Sequence, residues 1–239
     1  MIRLIETLPN GEGYLYSWIR GQFEAYGNTM SFLRFYGDEN GNLISIMDDV
    51  STVLWGDKNR EELLLFLDSQ DISVVRTDTE IATMLSERKW GKQQFCAIMK
   101  AAKAPTFRGG LTAVTPRELY PFLKENFAQM PPFEGWYLDV SHRMRHGCCR
   151  VSAVVENGVL LSSAMTLSEW QGGAVIGAVA TRENARKQGF ASRCVSLLTS
   201  QLLGENKDVY ICPLGDDARL LYEKLGFTIC GKTAVVERI

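Results

Sequence analysis

The sequence lacks the features of membrane, secreted and disulfide-stabilised proteins. No stretch of its 239 residues approaches the roughly 18 consecutive apolar residues that a membrane-spanning helix needs. The first residues, MIRLIE, lack the apolar core of a secretory signal. The six cysteines form neither CxxC pairs nor a compact framework, a pattern typical of reduced, buried thiols. We therefore expect a cytoplasmic protein without a membrane partner.

An excess of charge is also lacking. The 26 basic and 28 acidic residues give a formal net charge of -2, so we expect no nucleic-acid partner, because such proteins usually carry a basic face. The two histidines, His142 and His146, lie four residues apart, with Asp139 one predicted helical turn earlier. No further ligand follows at a diagnostic spacing. We interpret this segment as a solvated polar helix face and expect no metal.

The sequence does contain enough apolar residues for a sizeable core. Hydrophobic residues make up 46% and charged residues 23% of the chain, which is ordinary for soluble globular proteins. Residues 101–110 include Pro105 and the pair Gly109-Gly110, and this composition is typical of a linker. We predict two domains, residues 1–106 and residues 107–239.

The second half alternates predicted strands and helices. Thr115-Pro116-Arg117-Glu118 is a capping box that begins a helix ending near residue 127. Asn157-Gly158 predicts a tight hairpin between strands 150–155 and 159–167. The remaining predicted helices are 135–146, 190–203 and 217–225, and the remaining strands are 110–114, 174–180, 208–212 and 228–237. Antiparallel hairpins combined with one β-α-β crossover predict an α/β fold with a mixed sheet.

The first half shows a weaker version of the same order. Asn40-Gly41 predicts a hairpin between strands 32–36 and 43–47. The other predicted elements are helices 60–67 and 80–87 and strands 72–75 and 94–99. Residues 43–45 resemble 160–162, and residues 82–88 resemble 218–224, with Ser86 at the position of Tyr222. We hypothesise a tandem repeat whose shorter first copy lacks the buried strand before the helix and the glycine loop.

One loop of the second half is suited to bind a pyrophosphate. Residues 174–180 are apolar at every position, which is typical of a strand buried on both faces. They are followed by Arg186-Lys187-Gln188-Gly189-Phe190-Ala191 and an apolar-faced helix. Loop amides and the positive end of the helix can bind phosphate oxygens. Gly189 permits an unusual φ, and two basic side chains supply positive charge.

This pattern resembles the GNAT acetyltransferases, whose fingerprint [Q/R]-x-x-G-x-[G/A] is matched by Arg186, Gly189 and Ala191. Residues 222–227, YEKLGF, also resemble the ending of that family. The resemblance covers about residues 110–239. It implies the GNAT fold, a central mixed β-sheet flanked by helices, and the repeat extends this to a tandem arrangement with a degenerate N-terminal GNAT-like domain.

The resemblance further implies acetyl-CoA as cosubstrate, with the strand pairing with the pantetheine arm and the loop amides holding the pyrophosphate. The residues implied in this binding are Val179, Ala180, Thr181, Arg186, Lys187, Gln188, Gly189, Phe190, Ala191 and Ser192.

The activity that the resemblance implies is acyl-CoA-dependent N-acyl transfer. The acetyl group would pass by direct attack to a primary amine of a small molecule or peptide, with Tyr222 as general acid for the leaving thiolate. A backbone amide such as that of Val179 would polarise the thioester carbonyl. Three alternatives stay open: Tyr222 as a core residue, a non-catalytic acyl-CoA-binding regulatory or sensor module, and a nucleotide-phosphate-binding protein.

The sequence departs from the family pattern at two positions. Many members carry a glutamate on the strand before the loop, but residues 174–181 contain no carboxylate. Glu169 and Asp139 are candidate bases acting through water. The family's asparagine seven residues before the tyrosine is replaced by Gly215. Trp136 and Tyr137 are predicted to line an acceptor pocket or to pack in the core.

Overall fold

The computed structural model describes residues 1–103, 105 and 112–239. These residues form two compact units. Unit 1 comprises Met1–Ile98 with Cys230–Ile239, and unit 2 comprises Met99–Ile229. The boundary between residues 106 and 107 lies outside the described residues and stays a prediction. The C-terminal strand, which the sequence analysis assigns to the second domain, is part of unit 1.

Unit 1 consists of a mixed β-sheet and three helices among its described residues. Its elements are β1 (Arg3–Leu4), α1 (Tyr14–Tyr26), β2 (Leu33–Gly37), β3 (Leu43–Met47), β4 (Val50–Leu54), α2 (Arg60–Ser69), β5 (Val74–Thr77), α3 (Thr79–Glu87) and β6 (Gly91–Ala101). The strand order is β1-β2-β3-β4-β5, followed by the C-terminal strand β11 (Phe227–Arg238) and β6. β4 and β5 are parallel, and the pairs β1–β2, β2–β3, β3–β4 and β11–β5 are antiparallel.

Unit 2 has the same kind of architecture. Its further elements are α4 (Pro116–Asn126), α5 (Phe133–Arg145), β7 (Val151–Glu156), β8 (Val159–Trp170), β9 (Gly173–Thr181), a 3-10 turn (Glu183–Ala185), α6 (Phe190–Gly204), β10 (Asp208–Ile211) and α7 (Asp216–Lys224). The strand order is β6-β10-β9-β8-β7. β9 and β10 are parallel, and α6 connects them. The predicted α/β class with a mixed sheet is therefore confirmed.

Local sequence signals account for several of these elements. Thr115 caps α4 through its hydroxyl oxygen, which accepts from the Glu118 amide at 3.3 Å, and the Glu118 carboxylate accepts from the Thr115 amide at 2.8 Å. Asn157 and Gly158 have φ of 51° and 75°, as a tight hairpin turn between β7 and β8 requires. In the predicted strand 110–114, residues 110 and 111 lie outside the described residues, and residues 112–114 form no strand.

Two substantial elements of unit 1 are not predicted from the sequence. Helix α1 begins after Gly13, whose missing side chain leaves no capping signal, and it contains Gly21, an unfavourable residue in a helix interior. Strand β4 carries the polar residues Ser51 and Thr52, both fully buried. Tertiary packing stabilises both elements against weak local preferences.

The order of elements occurs twice, but the first copy is not what the sequence predicts. The run β2-β3-β4-α2-β5-α3-β6 corresponds to β7-β8-β9-α6-β10-α7-β11. The expectation that the first copy lacks the strand before its helix is wrong, since β4 occupies that position. The first copy is shorter because β3 has 5 residues against 12 in β8, and α2 has 10 against 15 in α6.

The last strand of each copy pairs with a strand of the other copy. In unit 2, β10 pairs antiparallel with the end of β6, with Tyr210 opposite Lys100. In unit 1, β5 pairs antiparallel with β11, with Thr77 opposite Ala234. The strand that follows α3 in the chain thus completes the sheet beside β10, and the strand that follows α7 completes the sheet beside β5. No helix in the described part of the chain has the length and apolar character needed to cross a membrane.

Candidate functional site

The candidate site is built where β9 separates from β10. Parallel pairing between these strands ends at Ile176 and Ile211, whereas β9 continues to Thr181. The register between β9 and β8 shifts because β9 contains one extra residue opposite the step from Ser163 to Met165. Ala178, in this bulge, has a left-handed φ of 47°. A bulge bends its strand, and this one lies immediately beyond the last β9–β10 pair.

The predicted phosphate loop adopts the backbone that its glycine suggests. Gly189 has φ 81° and is the N-cap residue of α6, and Lys187 is also left-handed with φ 62°. A Cβ atom on Gly189 would meet no heavy atom within 4 Å, so the backbone conformation, rather than lack of space, favours glycine. The first turn of α6 contains no acidic residue. The positive end of this helix is therefore available to an anion.

A cleft of about 670 Å³ lies beside this loop. Nine of the ten predicted cofactor-binding residues line it: Val179, Ala180, Thr181, Arg186, Lys187, Gly189, Phe190, Ala191 and Ser192. The tenth, Gln188, is exposed and does not line the cleft; its side-chain amide donates to the Asn184 carbonyl oxygen at 3.3 Å. Strand, loop and helix thus come together around one space, as the sequence predicts.

Tyr222 lies on α7 and lines the same cleft. Its side chain is 5% exposed and belongs to the hydrophobic cluster between α6 and the sheet. The ring centroid lies 6.1 Å from that of Phe227. The two interpretations of this residue are therefore compatible, since the ring packs in the core while the residue borders the cleft.

The cleft also contains residues that the sequence analysis missed. Asn126 and Phe127 line it from the end of α4, and no local motif marks them. Asp217, Ala218, Leu220, Leu221 and Lys224 line it from α7. The helical spacing of these residues around Tyr222 was a signal that could have found them. Gly215, in the position of the family's asparagine, is the N-cap of α7 with φ 92°.

The two candidate bases do not lie in the cleft. Glu169 is 1% exposed, and its carboxylate pairs with Arg150 and Lys207, both at 2.7 Å. Asp139 pairs with Arg143 at 2.6 Å. Among the described residues that line the cleft, Asp217 is the one carboxylate.

Other features of the second half also lie away from the cleft. The rings of His142 and His146 stack with centroids 4.1 Å apart, and no group of three potential metal-binding side chains occurs in the described residues. The Trp136 ring contacts Tyr120 at 5.3 Å. Arg117 lies 5.0 Å above the Tyr137 ring, and its hydrogen bond lowers the pKa of that phenol. Neither Trp136 nor Tyr137 lines the cleft.

Unit 1 has a loop at the corresponding place, between β4 and α2. Its N-cap residue, Asn59, is left-handed with φ 60°. Trp55 fills the start of the loop; it is 4% exposed, and its indole donates to the Lys58 carbonyl oxygen at 2.9 Å. The Gly56 amide donates to Asn42 Oδ1 at 2.8 Å. The fingerprint of the second loop is therefore replaced by a packed turn that is hydrogen-bonded within itself and to Asn42.

Comparison with known proteins supports the family resemblance. Residues 158–236 match the family model described as FR47-like protein. Over nearly the full chain, the structure is similar to a GNAT-family protein of Novosphingobium aromaticivorans (15% identity, 93% of this chain and 94% of that chain, TM-score 0.61). It is also similar to a GCN5-related N-acetyltransferase of Sphaerobacter thermophilus (14% identity, 92% and 85%, TM-score 0.60).

A tandem GNAT protein from the clavulanic acid biosynthesis pathway is similar over 97% of this chain and 90% of its own length, with 12% identity and a TM-score of 0.57. No curated protein matches the sequence. At these identities the solved structures show the fold alone. The resemblance to the GNAT family is confirmed by this fold and by the match of residues 158–236.

Proposed function

We propose that this GNAT-fold protein is an N-acetyltransferase that transfers the acetyl group of acetyl-CoA to a primary amine. The observation that carries the proposal is the cleft beside β9, which brings the loop residues Arg186 and Lys187 together with Tyr222. An extended thioester substrate with a pyrophosphate at one end fits a groove that has a strand along its length and a helix N-terminus at one end.

The loop and the strand would bind different parts of acetyl-CoA. Arg186, Lys187 and the N-terminus of α6 face the pyrophosphate, whose negative charge they stabilise. The part of β9 beyond Ile176 has no partner on the β10 side among the described strands. Its backbone groups are therefore suited to the amides of the pantetheine arm.

The reaction requires an acid that protonates the leaving thiolate and a hydrogen-bond donor that stabilises the negative charge on the carbonyl oxygen. The amine nitrogen attacks the carbonyl carbon, the C–S bond breaks, and the thiolate leaves while the nitrogen loses a proton. Tyr222 is proposed to donate its hydroxyl proton to the thiolate sulfur. The Val179 amide is proposed to donate a hydrogen bond to the carbonyl oxygen, which becomes more negative in the transition state.

The acceptor amine is proposed to be part of a small molecule or peptide. It must attack as the free base. We propose that the proton passes to water, because Glu169 and Asp139 are engaged in ion pairs outside the cleft.

A thiol-release assay tests the proposal. Purified protein is incubated with acetyl-CoA and a panel of polyamines, aminoglycosides, amino acids and peptides with free N-termini. We expect at least one amine to release free CoA, with the acetylated amine detected by mass spectrometry. Tight acetyl-CoA binding without any acetylated product would contradict the transferase function and favour a non-catalytic acyl-CoA-binding module.

A further inference from the structure

The side chain of Leu167 lies against Gly177, at the point where β9 separates from β10. Gly177 directly follows Ile176, the last residue of β9 that pairs with β10. A Cβ atom on Gly177 would overlap Cδ1 of Leu167 and would lie 2.8 Å from its Cγ. The Leu167 side chain therefore occupies the space that any larger residue at position 177 would need.

The position of Leu167 is fixed by its backbone. Leu167 is the extra residue of a second bulge, because β8 shifts register between Thr166 and Ser168. Arg143, whose side chain is 12% exposed, donates from Nη1 to the Leu167 carbonyl oxygen at 3.3 Å. Asp139 in turn holds the Arg143 guanidinium through Nε at 2.9 Å. The ion pair thus has a structural role, which is to hold the bulge that carries Leu167.

The cleft extends along β9 as far as Val179, and a substrate arm that continued along the strand would end beside Gly177 and Leu167. The phosphate loop follows the C-terminal end of β9, so a substrate arm that runs along the strand extends from Thr181 toward Gly177, a distance of roughly 13 Å at the rise of a strand. On the other face of the sheet, Ile176, Tyr222 and Phe227 fill the space. An acyl group at the end of such an arm would meet packed side chains on both faces of the sheet.

We propose that Leu167 is a specificity-determining residue that closes the acyl end of the cleft and restricts the acyl group to short chains. The inference rests on the proposed function, because it takes the cleft to hold an acyl-CoA with its thioester near the bulge of β9. Leu167 packs against the hydrophobic cluster between the sheet and α4–α5, so shortening it opens space on that face for additional methylene groups.

Binding of acetyl-CoA and butyryl-CoA, measured by calorimetry without an acceptor, tests the inference. We expect the native protein to prefer acetyl-CoA and the Leu167→Ala variant to shift the ratio of the two dissociation constants toward butyryl-CoA by about tenfold or more, as expected for methylene groups in an apolar pocket. Leu167→Val, a milder change, should shift the ratio in the same direction by less.

Leu160→Ala is the matched control. Leu160 lies on the same strand and in the same hydrophobic cluster, but it pairs with Val155 on β7 rather than with β9. This variant should leave the ratio unchanged. If Leu160→Ala shifts the ratio as much as Leu167→Ala, general loosening of the cluster explains the effect and the inference is wrong.

A second test uses Gly177. Gly177→Ala places a methyl group against Leu167, so it should weaken binding of acetyl-CoA, and Leu167→Ala in the same chain should restore that binding. Failure of the restoration contradicts the inference. If CoA binds with normal affinity but every variant keeps the native acyl ratio, only the inference fails; if CoA does not bind the native protein, the proposed function fails with it.

Discussion

Two loops at corresponding places in the repeat lead from a strand into a helix, and they differ in ways that decide which one can bind a phosphate. Both helices begin after a left-handed N-cap residue, Asn59 with φ 60° in unit 1 and Gly189 with φ 81° in unit 2. The backbone conformation at the cap is therefore shared and cannot by itself create the site.

The difference lies in charge and packing. The first turn of α2 carries Glu61 and Glu62, whose negative charges offset the positive end of the helix dipole. The first turn of α6 has no acidic residue. Trp55 is buried in the first loop, while Arg186 and Lys187 border the cleft beside the second. An open, basic loop at a helix N-terminus is suited to a pyrophosphate, and the proposed site therefore lies in unit 2 and not in unit 1.

Reversing the charge of the second loop should have the largest effect. In the double variant Arg186→Glu and Lys187→Glu, two charge-assisted contacts to the pyrophosphate are lost and replaced by repulsion. We expect the acetyl-CoA dissociation constant to rise by a factor on the order of 10³. Lys58→Glu, in the corresponding loop of unit 1, is the control and should leave the constant unchanged in calorimetry. Equal weakening by the control would mean that the two loops do not differ as described.

Removing the hydroxyl of Tyr222 should separate catalysis from binding. For Tyr222→Phe we expect kcat to fall about 10²-fold, because a positioned general acid contributes on that order. The acetyl-CoA dissociation constant should stay the same, because the ring remains. Ser86→Ala, on α3, the helix of the first copy that corresponds to α7, should leave kcat unchanged. An undiminished rate for Tyr222→Phe in the thiol-release assay contradicts the assignment of the acid.

A variant in unit 1 should affect stability without affecting binding. In Asn42→Ala, the Gly56 amide loses its acceptor and Asp38 loses a hydrogen bond at 2.9 Å. We expect the free energy of unfolding to fall by ~1–2 kcal/mol, the usual effect of leaving a buried polar group unpaired. Chemical denaturation measures this change, and Asn40→Ala, at an exposed neighbouring position, should cost less. A weaker affinity for acetyl-CoA in Asn42→Ala would show that the first loop takes part in binding.

The smallest expected effect concerns an ion-pair network of unit 2. Hydrogen bonds from Arg150 and Lys207 lower the pKa of Glu205 to about 2 from an ordinary value of 4.5. The charged form is therefore favoured in the folded protein, so the stabilisation is complete at neutral pH and is lost as the pH falls from about 4.5 toward 2.

Glu205→Gln tests this network. It should lower the free energy of unfolding at pH 7 by ~0.5–1 kcal/mol, since solvent screens this partly exposed pair. The difference from the native protein should disappear near pH 2, as measured by thermal unfolding across a pH series. A difference that stays constant with pH would mean that the carboxylate charge does not matter.

The sequence predicts those features that depend on local chemistry. The capping box at Thr115, the turn at Asn157-Gly158 and the left-handed loop residue Gly189 each follow from side chains within a few positions. These three predictions succeed because short-range hydrogen bonding and φ preferences specify the structure. Nine residues of the predicted strand, loop and helix line one cleft, and their role in binding acetyl-CoA stays a prediction.

Features that depend on distant contacts could not be predicted in this way. Strand β4 is stabilised by pairing on both sides, with β3 and β5. Asn126 and Phe127 join the cleft because α4 packs on the sheet, and the exchange of the final strands is decided by pairing partners far apart in the chain. Glu169 and Asp139 are candidate bases by their positions in the sequence, but ion pairs with distant or neighbouring cations hold them outside the cleft.

The stoichiometry of acetyl-CoA binding tests the central claim most directly. Isothermal titration calorimetry of the native protein should give one site per chain, and the double variant Arg186→Glu and Lys187→Glu should show no binding at the same concentrations. Two sites per chain, or full binding by the double variant, would contradict the account that only the loop of unit 2 holds the cosubstrate.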